Sequence, residues 1–269
     1  MMHPFFFGRS DQPVYGVYHP PGMSTRPLGL VLCYPLGQEY IRVHRAFRQL
    51  AEQLASDGAH VLRFDYRGTG DSYGDLDRAT VSDWLEDASN AVEELKTLGS
   101  LNRVSVMGLR FGALVASHLA AARKDINGLA VWDPILSGSA AVAEMAAYVR
   151  EESNRRPIEI GREPDPGNFV SPDGSIHFNG FDFPAHLLED LKSLDLLSLD
   201  LAGTRGLLQV VSRESDGFGR LQSAWQAHKN YAYRLVEASH DWNYASNDGD
   251  IFLPHTVLRV IKDWASNAH

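Results

Sequence analysis

The sequence predicts an α/β fold: a mostly parallel central sheet with helices on both faces and an inserted cap. Three observations lead there. Short apolar, β-branched runs alternate with longer helical patterns, as in successive strand–helix–strand units. That rhythm breaks once, between about residues 137 and 200. And 269 residues, 44% hydrophobic and 22% charged, suffice for one sizeable core and exclude general disorder.

The elements follow in order. A hairpin-like stretch around Pro13–Tyr18 precedes the run Leu28–Pro35, which reads as a central strand. Ala46–Ala55 places apolar residues at helical spacing and is ended by Gly58. His60–Asp65 is the next strand, and Val81–Leu98 an amphipathic helix with an acidic outer face. Arg103–Met107 is a strand that runs through Gly108–Gly112 into the Ala-rich helix Ala113–Arg123, and Gly128–Trp132 is another strand. Then come a helical patch at Ala140–Glu152, a Gly/Pro/Asp-rich loop at Gly161–Gly174 and an apolar helical patch near Leu187–Leu197. A connection that long inside a domain reads as a lid. Strands at Leu207–Val211 and Tyr233–Val236 and a closing helix at Pro254–Ala265 restore the pattern. The expected organisation is a core from 1–136 and 201–269, interrupted by a cap at 137–200.

Composition narrows the partners. With 25 Lys and Arg against 34 Asp and Glu, the net charge of -9 disfavours nucleic acid and anionic membranes. The single cysteine, Cys33, cannot form an intramolecular disulfide, which makes a reducing cytoplasm the default compartment. The start, MMHPFFFGRS, lacks the basic region of a signal peptide, and no stretch nears the roughly 20 apolar residues of a membrane span. No cluster has metal-ligand spacing and no phosphate loop occurs, so neither metal nor cofactor is expected. A small-molecule substrate is the expected partner; the oligomeric state is not set by the sequence.

Three segments carry chemistry. Gly108-Leu109-Arg110-Phe111-Gly112 joins a strand to a helix, where G-x-S-x-G elbows sit. Asp65 to Ser72 reads D-x-R-G-x-G-x-S after the preceding strand, and Ala238-Ser239-His240-Asp241-Trp242 follows the last one. On these motifs the whole chain resembles a capped α/β hydrolase, nearest the serine aminopeptidase-like branch. Pro35–Ala51, Gly108–Ala116 and Trp132–Gly138 more narrowly resemble bacterial hydrolase-like proteins found beside exosortase and other biosynthetic clusters, where the elbow also often carries arginine. The resemblance implies a Ser–His–Asp/Glu triad, with His240 as general base. Asp216 is the expected acid after the strand Leu207–Val211, and Glu214 is the alternative. It also implies an oxyanion hole built from Phe111 N–H and from Leu36 or Gly37.

The departure is Arg110, which stands at the nucleophile's position. A guanidinium stays protonated and has no usable lone pair, so it cannot attack a carbonyl. At a helix N-terminus it also meets an unfavourable dipole, worth roughly 0.3–1 kcal/mol. Three outcomes are open. Arg110 pairs with a carboxylate (Glu39, Asp133, Glu214 or Asp216), holds an anionic ligand group, or swings out over the pocket mouth. Cys33 reads as a core residue, His44 as structural, and Ser137 or Ser139 as the N-cap of the following helix. Two functions remain. In one, an enzyme acts on a small acyl, ester, thioester or amide substrate, with His240 and Asp216 activating water and Arg110 binding an anion or oxyanion. In the other, a non-catalytic capped pocket binds an acidic metabolite or a protein partner.

Overall fold

The computed structural model describes residues 2–22, 25–155, 168–238, 242 and 253–267. The chain opens with an antiparallel hairpin, β1 (His3–Arg9) and β2 (Gln12–His19), closed at the pair Arg9 and Gln12. Then follow β3 (Gly29–Cys33), α1 (Gly37–Ser56), β4 (His60–Phe64), α2 (Val81–Gly99), β5 (Val104–Leu109), α3 (Phe111–Ala122) and β6 (Ile126–Trp132). After an excursion come β10 (Gly206–Val211), α6 (Asp216–Trp225), β11 (Tyr231–Leu235) and α7 (His255–Asn267). The eight strands lie in the order β1-β2-β4-β3-β5-β6-β10-β11. From β4 to β11 every pairing is parallel, and β2 joins that block antiparallel to β4.

Burial explains the strand sequences. Every residue of β3, β4, β5, β6 and β10 is buried, because helices cover both faces, and those strands are accordingly near-continuous apolar runs. The helices close the layers with apolar stripes. On α2, Trp84, Ala88, Ala91, Val92 and Leu95 are buried, each large side chain contributing roughly 1.5–3 kcal/mol. Its start is fixed by a capping box, in which Thr80 Oγ1 accepts from Asp83 N–H and the Asp83 carboxylate accepts from Thr80 N–H, both at 3.1 Å.

The turn after β4 is held by polar residues. Asp65 Oδ2 accepts from Asp71 N–H at 3.1 Å, and the Asp65 carbonyl accepts from Ser72 Oγ at 2.6 Å. Arg67 is buried, donates from Nε to Asp87 Oδ1 at 2.6 Å, and also pairs with Asp83 and Glu86. One buried cation is therefore surrounded by three carboxylates.

The excursion between β6 and β10 contains α4 (Gly138–Arg155), a three-stranded antiparallel sheet of β7 (Phe169–Val170), β8 (Ile176–Phe178) and β9 (Phe181–Phe183), and α5 (Ala185–Leu191). The described end of the expected 161–174 loop is thus strand and turn; strands of two or three residues are too short to leave a periodic signal. The apolar patch near Leu187–Leu197 divides into α5 and a single 3₁₀ turn at Leu196–Ser198. Helix α1 begins at Gly37, well before Ala46. Its buried stripe starts with Gly37 and Glu39, and the charge on Glu39 conceals the pattern from a hydropathy reading. Helix α6, not foreseen, is capped by Ser215, whose Oγ accepts from Phe218 N–H at 3.2 Å. No helix among the described residues is long and apolar enough to cross a membrane.

Candidate functional site

The strand-to-helix turn between β5 and α3 has the geometry of an elbow, and its glycines are obligatory. A Cβ on Gly108 would lie 2.1 Å from the Gly112 carbonyl oxygen, and one on Gly112 would lie 2.2 Å from the Cys33 carbonyl oxygen. Arg110 sits at the tip with φ 53° and ψ -119°, a strained conformation for a residue with a side chain. The backbone holds it there. Arg110 N–H donates to the Trp132 carbonyl at 3.0 Å, and the Arg110 carbonyl accepts from Ala113 N–H at 3.1 Å.

The guanidinium turns inward and is only 9% exposed. Its Nε donates to Glu39 Oε1 at 3.1 Å, and its Nη2 to Glu144 on α4. Burial alone would lower the Arg110 pKa; the two carboxylates reverse that and raise it. Glu39 responds the other way. Burial pushes its carboxyl up to about 7, with Arg110 pulling down and Glu144 pushing up. Arg110 thus ties α1, the elbow and α4 together, and its charge is compensated within the molecule.

The other candidate partners of Arg110 are placed differently. Asp133, with φ 40°, is buried at the end of β6 and accepts from Ser212 N–H at 2.7 Å and Ser212 Oγ at 2.6 Å. It clamps the ends of β6 and β10 together, and burial raises its pKa against those hydrogen bonds. Glu214 and Asp216 are exposed, Asp216 in the first turn of α6 where a carboxylate suits the helix dipole. Neither partners Arg110; Glu144, absent from the sequence-based candidates, does. No motif marks Glu144, because it lies on an ordinary helix face of the excursion.

The oxyanion candidates lie beside the elbow. Leu36 is the extended N-cap residue of α1, and Gly37 has φ +58°, with Phe183 of β9 3.3 Å from where its Cβ would be. Phe111 opens α3, where N–H groups lack helical partners, and packs edge-on against Trp84 with ring centres 5.5 Å apart. His240 lies outside the described residues, so its pairing with Asp216 does too. Trp242, two residues on, is buried and packs edge-on against Trp132 at 5.4 Å.

Cys33 and Ser137 are each held in a structural role. Cys33 is fully buried and burial pushes its thiol up to about 12. Ser137 Oγ accepts from Ala140 N–H at 3.2 Å, a cap at the start of α4. Sequence reasoning missed one relay in the small sheet, where Ser171 Oγ is 3.0 Å from His177 Nε2 and His177 Nδ1 is 2.6 Å from Asp182 Oδ1. His177 and Asp182 are directly opposed across β8 and β9, and the Asp182 side chain is 80% exposed. No strained elbow presents Ser171, so the network is a cross-strand tie. Among the described residues no group of three or more His, Cys, Asp or Glu side chains could hold a metal.

Comparison with known proteins places this geometry. Residues 40–156 match the family model described as serine aminopeptidase, S33. No curated protein sequence matches the chain. Among solved structures, DcsB in complex with its substrate analogue is similar over 100% of both chains, with a TM-score of 0.68 and 15% identity. The α/β hydrolase GrgF from Penicillium sp. sh18 is similar over 100% of this chain and 99% of that one, with a TM-score of 0.67 and 17% identity. A Pyrococcus furiosus esterase is similar over 99% and 88%, with a TM-score of 0.63 and 15% identity. At such identities the likeness is one of fold.

Proposed function

We propose that this chain, which belongs to the α/β-hydrolase superfamily, binds a small acidic metabolite rather than cleaving an acyl bond through a covalent intermediate. The observation that carries the lack of a covalent step is the closed pairing of Arg110 with Glu39 and Glu144 at the nucleophile's position, which also puts the bound acid elsewhere than on Arg110. An attacking hydroxyl or thiol is missing there, and the cation that replaces it is already neutralised. Recruiting Arg110 to an anion or oxyanion would orphan a buried carboxylate, a cost of several kcal/mol, roughly 3–5 when a buried pair is broken.

A second reading has one specific support. Trp242 packs on Trp132, whose carbonyl holds the Arg110 N–H, so Trp242 lies beside the residue that anchors the elbow. In that reading the chain acts on an acyl, ester, thioester or amide substrate, with His240 and Asp216 activating water. Such a base is worth roughly 10²–10⁴-fold without an acyl-enzyme.

The test is a fluorophosphonate probe followed by peptide mapping, together with p-nitrophenyl acetate turnover. We expect no serine labelled and no turnover above a heat-treated control. Turnover abolished in His240→Ala would select the hydrolytic reading. Labelling that maps to Ser171 would move the chemistry into the excursion and sink both.

A further inference from the structure

Three arginines are buried in the described core: Arg63, Arg67 and Arg110. Arg67 meets three carboxylates and Arg110 two. Arg63, on β4 and only 4% exposed, has none within 4 Å among the described residues. Its partners are neutral. Nε donates to His19 Nε2 at 3.1 Å, and Nη1 donates to the Tyr34 hydroxyl at 2.7 Å. Burial, with the Arg63 charge acting in the same direction, holds His19 down at about 4, so His19 accepts as a neutral ring. Buried cations are normally paired, and a guanidinium has five N–H donors in a fork shaped for a carboxylate.

Arg63 lines a cavity of about 230 Å³ whose walls include Tyr15, Tyr34, Tyr40 and Phe64. Asp65 is also in the wall, but its oxygens are engaged by the Tyr40 hydroxyl at 2.9 Å and by Asp71 N–H at 3.1 Å. Asp65 is thereby committed to other donors and leaves Arg63 without a pair. His44 and Arg48 line this cavity and also a neighbouring one of about 480 Å³ that includes Arg45. Arg48 is paired with Glu52 at 2.8 Å, so the arginine of the first cavity that lacks a carboxylate partner among the described residues is the buried Arg63.

We infer that the Arg63 cavity is a binding site for a monocarboxylate with a flat, aromatic body. The carboxylate takes the free part of the Arg63 fork and the ring lies among the tyrosines and Phe64. The inference rests on the binding function proposed above and names its ligand class and place, between β4 and α1.

Calorimetric titration of the full chain with benzoate tests it, with benzamide as the neutral isostere and inorganic phosphate as an anion without a ring. We expect saturable benzoate binding, with benzamide and phosphate at least tenfold weaker. Arg63→Met should lower benzoate affinity at least tenfold. Val17→Phe offers a second route: Val17 faces Arg63 in the β2–β4 register and lines the cavity, so the larger ring fills it while leaving the Arg63 hydrogen bonds in place. It should produce the same loss. No saturable benzoate binding, benzamide binding as tightly as benzoate, or unchanged affinity in folded Val17→Phe would each overturn the site. None of these outcomes touches the fluorophosphonate result, so the two proposals fail separately.

Discussion

Arg110 and Arg63 are both buried cations, at the elbow after β5 and on β4, with β3 between those strands, yet their surroundings are opposite. Arg110 is closed, with a strained backbone and a carboxylate on either side from α1 and α4. Arg63 sits in relaxed strand geometry, bonded to a neutral imidazole and a phenol beside an aromatic cavity. The difference teaches where a buried charge signals stability and where it signals recognition. A cation with its counter-charges built in joins parts of the fold; one without them leaves a demand that a ligand can meet.

The sharpest way to break the comparison is to remove each cation in turn. Arg110→Met leaves Glu39 and Glu144 without their partner and should cost about 3–5 kcal/mol in urea denaturation at neutral pH. A cost under about 1 kcal/mol would show that the pairing contributes no more than a surface bridge. The next effect is one of pH. The Glu39 carboxyl titrates near 7 in the folded protein against an ordinary 4.5, because of burial. Between those values the folded state holds a proton that the unfolded chain lacks, so this group's contribution makes stability fall as pH rises through the window. Glu39→Gln should flatten that slope by roughly 1–3 kcal/mol between pH 5 and 7.5; an unchanged slope would assign it to other groups. The smallest effect is that of Arg63→Met. It orphans no carboxylate and removes two hydrogen bonds to neutral partners, a loss of about 1–2 kcal/mol. Equal losses for the Arg63 and Arg110 variants would erase the distinction between the two.

Much of the fold was legible because buried parallel strands must be apolar throughout and because turns need particular residues. The expected ranges Leu28–Pro35 and His60–Asp65 each contain an observed strand, and Leu207–Val211 falls one residue short of β10 at its start. The site was legible in part. Strand–turn–helix chemistry located Arg110, and Glu39 was among its candidate partners. Asp133, Glu214 and Asp216 were equally reasonable, since all follow strands ending on the same side of the sheet. Helix α1 was read too short for the same reason that Glu39 matters, as a buried charge interrupts the apolar stripe.

The sequence by itself determined the layered α/β architecture, the elbow and the absence of a nucleophile at its tip, because these depend on residues near one another in the chain. Only the tertiary structure decided what each arginine meets. Glu144 comes to Arg110 from α4, 34 positions away, and Glu39 from α1, 71 positions away. His19 comes to Arg63 across β2 and β4, 44 positions away. Local propensity places a charge on an element, but its energy depends on the solvent it loses and the charges it gains, and both are set by packing between distant segments.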